Sequence, residues 1–240
     1  MVRILQEQGF RKEEFVLELF DEPSTKEFTV HELLTAHREC KKVLPDVLIQ
    51  MASGISFIEQ DKVFEELTKV IDLWTFSFYR TNIPSYRKKM KYFHAQKGKH
   101  MQIYACGTSM RQDLYRYYRL LPWNAMEAGA DSVCLYCLFP MSPLGNDLYR
   151  VPAGDAAYMT SDGILPSVRL ENFRAGLTDI KYLKLLESMA KGNTPLEKKI
   201  RKFIQDSLKD VYIVQPHNTA RADEVRQQAV KYILQLQKRK

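Results

Sequence analysis

Five short apolar runs recur along the chain, and amphipathic helical patterns fill the gaps between them. The runs are residues 15–20, 47–52, 71–78, 100–106 and 131–139. They begin roughly 25 to 30 residues apart, the size of one βα unit. Between and after them, helical periodicity covers residues 30–43, 61–70, 84–96 and 113–126, the last interrupted or bent at Pro122. A long loop is expected over 140–166, and three more helices over 167–191, 195–208 and 221–237. Strand and helix in alternation imply a parallel sheet with right-handed crossovers. An open doubly wound sheet fits this order, and so does part of an eight-fold β/α barrel. No glycine-rich phosphate loop follows any run, so a nucleotide-binding reading lacks its fingerprint.

The first run ends in chemistry. Residues 15–20 are apolar and β-prone apart from Glu18, and they lead straight into Asp21, Glu22 and Pro23. Pro23 stops the strand and biases Glu22 towards an extended backbone. Asp21 and Glu22 then sit at the C-terminal mouth of a buried strand, the edge where parallel α/β proteins build active sites. Consecutive strand residues point to opposite faces, so the pair can meet one substrate only if the chain turns there. Two close carboxylates split their pKa values, leaving one as an acid and the other charged. The alternative is a helix start, with Asp21 or Ser24 as N-cap and Glu22 in the first turn.

Charge and cysteine usage exclude several classes. The net charge of +7 lies in the tail: residues 191–240 hold 12 Lys/Arg and 5 Asp/Glu, while the rest holds 24 of each. Lys198, Lys199, Arg201 and Lys202 fit a solvated helix face, and no nucleic acid is expected as partner. Cys134 and Cys137 lack a second pair or histidines at zinc spacing, and residues three apart on a strand face opposite ways. They read as buried free thiols; Cys40 and Cys106 are the other two cysteines. His31, His37, His94, His100 and His217 show no metal-ligand spacing, so neither a metal nor another cofactor is expected. No run of eighteen apolar residues suggests a membrane span, and the first residues lack a signal-peptide pattern, which makes the cytoplasm the default location.

Two segments together resemble the catalytic domain of family 123 of the glycoside hydrolases, found in many bacterial proteins. One is the strand ending in Asp21-Glu22-Pro23. The other carries Ser167, Val168, Arg169, Arg174, Ala175, Gly176, Asp179, Tyr182 and Leu183, similar to the family's segment after its last strand. The run from Arg119 to Trp123 is similar to the family's helix before that strand. The resemblance covers roughly residues 10–190. It implies a TIM-type (β/α) barrel over residues 1–191, apparently lacking its first three βα units, with a basic C-terminal helical extension over 192–240. It also implies a retaining hydrolase of β-linked N-acetyl-hexosaminides, N-acetylgalactosamine favoured, working by substrate-assisted catalysis. On that pattern Asp21 would hold the acetamide N–H, and Glu22 would protonate the leaving oxygen and then activate water.

Trp74, Tyr104 and Tyr136 are candidate sugar platforms, with core packing as the alternative for the first two. Arg169, Arg174 and Asp179 read as an ion-pair cluster bracing the closing helix. The chain departs from the family at Leu135-Tyr136-Cys137, where a tryptophan often stands, and at Ala175, which replaces a Glu. Only one short segment precedes the acid pair, so a missing N-terminal segment or a second chain would complete the barrel. The alternative function is a non-catalytic carbohydrate-binding or scaffold protein with a degenerate barrel.

Overall fold

The structure, a computed structural model, describes residues 2–11, 14–24, 26, 28–52, 55–105, 113–135, 157–160 and 163–238. Strands β1 (Val16–Glu18), β2 (Leu48–Ala52), β3 (Leu73–Ser77), β4 (His100–Ala105) and β5 (Ser132–Leu135) form one parallel sheet in that order. Among the described residues this sheet stops at five strands. That corrects the expected TIM-type (β/α) barrel, because a small barrel needs about eight strands for its edges to meet. The unreversed order also excludes the doubly wound alternative, which turns back at a switch point. The later strands β6 (Ala157–Thr160) and β7 (Gly163–Pro166) do not extend the sheet. They pair with each other as an antiparallel hairpin in the stretch expected to be loop. The chain divides into two compact units, Met1–Ile103 and Tyr104–Lys240.

In the first unit a short helix α1 (Val2–Glu7) leads to β1, and helix α2 (Val30–Val43) follows. Thr29 and Glu32 start α2 with a capping box: the Glu32 N–H donates to Thr29 Oγ1 at 3.2 Å, and the Thr29 N–H donates to Glu32 Oε2 at 2.7 Å. Helices α3 (Ile55–Ile58) and α4 (Asp61–Thr68) lie between β2 and β3, and α5 (Pro84–His94) precedes β4. Pro84 sits in the first turn of α5, where its missing N–H costs nothing.

Register gives this part of the sheet two unlike faces. Leu17 opposes Ile49, and Met51 opposes Trp74, so these residues and Phe76 share one face. Helices cover it. The Trp74 ring lies 4.9 Å from Phe64 of α4 and 5.5 Å from Phe93 of α5, and Phe76 meets Tyr86 at 5.7 Å. All four of Phe64, Trp74, Phe76 and Phe93 are buried, each contributing about 1.5–3 kcal/mol. On the other face Glu18 opposes Gln50, Ala52 opposes Thr75, and the Thr75 hydroxyl donates to Gln102 Oε1 at 3.1 Å. At the N-terminal ends Asp72 ties three strands together. Its carboxylate accepts the Ile49 N–H at 2.9 Å and pairs with Lys41 at 2.6 Å, and its carbonyl accepts the His100 N–H at 2.8 Å.

The second unit is mainly helical: α6 (Leu120–Ala128), α7 (Val168–Met189), α8 (Pro195–Lys209) and α9 (Arg221–Gln237). Helices α8 and α9, the expected basic extension, pack on α6 and α7. A wide π-turn, Tyr115–Arg119, opens α6. Pro122, three residues on, lacks the N–H that an ordinary helical turn would use there, and α6 runs through it without a break. Asp179 of α7 is fully buried and accepts from Arg119 Nε at 3.0 Å, Trp123 Nε1 at 3.2 Å and Arg226 Nη1 at 2.8 Å. Asp223 takes the remaining arms of both guanidiniums at 2.6 Å. Burial pushes the Asp179 carboxyl up, and the two arginines and the indole act against it. Of the expected cluster Asp179 takes part, whereas Arg174 pairs with Glu171 one turn away on the surface of α7.

Gly176 lets α7 approach the π-turn: a Cβ there would stand 2.1 Å from the Arg119 carbonyl oxygen. Gly176→Ala is therefore expected to lower stability by about 1–3 kcal/mol or more, because the obstacle is backbone. Asp179→Ala leaves two guanidiniums to one carboxylate and is expected to cost about 3–5 kcal/mol. Urea unfolding midpoints measure both, and unchanged midpoints would contradict this packing.

Candidate functional site

The acid pair follows β1 directly. The strand leaves the sheet after Glu18, and residues 19–22 form a bend rather than continuing the run to 20. Glu22 has φ +39°, so the backbone turns in the left-handed region instead of staying extended. Asp21 and Glu22 therefore do not follow strand geometry. Both side chains are exposed, and neither caps a described helix: α2 starts at Val30, six residues beyond Ser24, on its own Thr29 cap. Pro23 is buried. Phe20 anchors the bend, its ring 4.8 Å from Phe28 and 6.0 Å from His37. His37 is buried, and its Nδ1 lies 2.6 Å from the Leu33 carbonyl. Burial holds its pKa below the usual value, so it is a neutral support beneath the bend.

Glu18 is the residue that sequence reasoning passed over. Its carboxylate accepts the Ala52 N–H at 3.1 Å and is hydrogen-bonded by the Gln50 side chain. Partial burial of that carboxyl raises its pKa first, and the Asp21 and Glu22 charges raise it further; the two hydrogen bonds act the other way. Three carboxylates thus share one electrostatic environment at the C-terminal end of a parallel strand. The signal was present as a single charge inside an apolar strand. Its meaning depended on the register that sets Glu18 beside Gln50.

Glu18, Gln50, Thr75 and Gln102 make a polar stripe across four strands on the face that α4 and α5 do not cover. A parallel sheet buried on both faces reads as continuous apolar strands, so this stripe is a departure with chemical content. It offers donors and acceptors but no ring at Trp74, which is fully buried on the opposite face. Tyr104 shares its face of β4 with Gln102 and is buried. Tyr136 lies outside the described residues, as do Cys106 and Cys137; Cys134 is half-buried, and Cys40 is a half-buried free thiol. Among the described residues no group of His, Cys, Asp and Glu could hold a metal ion. No described helix is long and apolar enough to cross a membrane. Compared with known proteins, the chain matches no family model and no curated protein.

The pH dependence of Glu18 has a definite sign. Its folded-state pKa is raised, so the folded chain holds this proton to higher pH than the unfolded chain does. The stabilisation from protonating Glu18 is present at acid pH and is lost as pH climbs from the ordinary value of 4.5 through the raised one. Glu18→Gln is expected to remove that loss and to make the protein relatively more stable than wild type at pH 7 than at pH 4. Unfolding midpoints of both proteins at the two pH values provide the comparison; a constant difference would contradict the assignment.

Proposed function

We propose that this chain carries the acid pair of a retaining glycoside hydrolase acting on β-linked N-acetyl-hexosaminides, N-acetylgalactosamine favoured. The observation that carries this reading is the cluster of Glu18, Asp21 and Glu22 at the C-terminal end of β1, where their charges interact. In the proposed chemistry the substrate supplies its own nucleophile. The 2-acetamido oxygen attacks the anomeric carbon while Glu22 gives its proton to the leaving glycosidic oxygen. Asp21 accepts the acetamide N–H and steadies the positive charge of the cyclic intermediate. Glu22, now a carboxylate, takes a proton from water as that water attacks the anomeric carbon and reopens the ring. Glu18 is a positioning residue: its carboxylate accepts the Ala52 N–H and so ties the end of β1, from which the acid pair departs, to β2.

One observation favours a second reading, carbohydrate binding without turnover. Asp21 and Glu22 are exposed to solvent in this chain, whereas catalytic electrostatics gain strength from exclusion of water. The two readings part on a single measurement. Hydrolysis of an aryl N-acetyl-β-galactosaminide is expected from the wild-type protein. In Glu22→Gln its rate should fall on the order of 10²–10⁴-fold. Equal rates in both proteins would dismiss the hydrolase, and saturable sugar binding with no hydrolysis would establish the second reading.

A further inference from the structure

A groove on the first unit lies apart from the acid cluster, between α4 and α5. It consists of two adjoining hollows of about 190 and 330 Å³ that share Asp61, Ser85 and Lys89. The larger falls at the small end of the range for small-molecule sites, about 300–1,000 Å³. Its charges are balanced and largely tied to one another. Arg80 pairs with Glu59 at 3.3 Å, and Lys89 pairs with Asp61 at 2.8 Å. The Lys89 ammonium also donates to the Ile58 carbonyl and lies 5.7 Å from the Phe64 ring centroid. It is held in place before any ligand arrives, so little side-chain freedom is left to lose on binding. Lys88 and Glu65 add one charge of each sign. Three acids thus face three bases, and the groove has no net attraction for an ion of either sign.

One wall is aromatic. Tyr92 packs on Phe64 at 6.2 Å between ring centroids, yet 49% of it is exposed to solvent. An exposed ring beside paired carboxylates and cations in a neutral groove matches one ligand chemistry: a molecule with an apolar ring face and a rim of hydroxyls. Charged ligands gain nothing from balanced walls, and purely apolar ones would strip water from paired ions without replacing it.

We infer that the groove between α4 and α5 is a binding site for a neutral sugar unit, with the Tyr92 ring as its platform and the Arg80–Glu59 and Lys89–Asp61 pairs as partners for its hydroxyls. The sugar class follows from the groove itself; only the choice of an N-acetyl-hexosamine rests on the hydrolase reading.

The test titrates the whole chain with a neutral N-acetylhexosamine trisaccharide and with its sulfated counterpart, following backbone amide shifts by NMR. Saturable shifts are expected at residues of α4 and α5 with the neutral sugar, and at least tenfold weaker binding with the sulfated one. Tyr92→Ala is expected to weaken binding about tenfold while the thermal unfolding midpoint stays unchanged, because the side chain is half exposed. Glu22→Gln should bind at the groove like wild type. Absence of shifts in α4 and α5, equal affinity in Tyr92→Ala, or tighter binding of the sulfated sugar would each overturn the proposal. Binding here without hydrolysis would instead remove the hydrolase reading and leave the groove standing.

Discussion

The first unit depends on the burial of Trp74 and Phe76 against α4 and α5. Parallel strands cannot be joined by tight turns, so each pair needs a crossover, and each crossover helix must bury its apolar stripe on the sheet. Here the stripes meet a layer of aromatic rings, with Phe64 and Phe93 packed on Trp74 from two helices. That contact commits one face of the sheet to the core. It also fixes the phase of every strand, since a slip of one residue would exchange the faces. With Trp74 inward, Thr75 must point away, and with it Gln50 and Gln102. The polar stripe is therefore a consequence of where the rings go.

Charges at the two ends of the strands are arranged in opposite ways. At the N-terminal ends Asp72 is surrounded by lysines and backbone N–H groups, which suits a joint between strands. At the C-terminal end of β1 burial and the Asp21 and Glu22 charges raise the cost of ionising Glu18. A fold gains nothing in stability from the second arrangement. Parallel α/β proteins place chemistry at that end and structure at the other, and this asymmetry gives the proposed hydrolase its physical basis.

The second unit solves a different problem. Asp179 is a full charge in a helical core, and such a charge is tolerated only when its partners are complete. Arg119 and Arg226 supply them from α6's π-turn and from α9, while Asp223 balances the second positive charge. Gly176 belongs to the same device, since its missing side chain brings α7 against the turn that carries Arg119. The residues that resemble a glycosidase segment thus have their own structural account: Gly176 and Asp179 hold helices together. Arg201 does similar work, donating to the carbonyls of Ala190 and Gly192 just past the end of α7, so part of the basic tail is a helix clamp rather than a solvated face.

Local patterns were legible wherever the determining interactions are local. The capping box of Thr29 and Glu32 and the spacing of Leu33, Leu34 and His37 define α2 from neighbours alone, and α9 follows from the same periodicity. The position of Asp21 and Glu22 after a strand was readable too, because Pro23 and the apolar run are adjacent to them. The number of strands was not, since five βα units read alike whether or not others close the sheet. Nor was the hairpin of β6 and β7, or the bend at Glu22, whose positive φ opposes the preference of a residue before proline. The sequence by itself determined the order of the five sheet strands and of the longer helices, and the place of the acid pair after the first strand, since these are set by contacts within a few residues. Only the tertiary structure decided that Trp74 faces the core, that Glu18 joins the acids, and that Asp179 is shared by Arg119 and Arg226, 60 and 47 residues away. Those pairings are made by packing between distant segments, and no local preference encodes them.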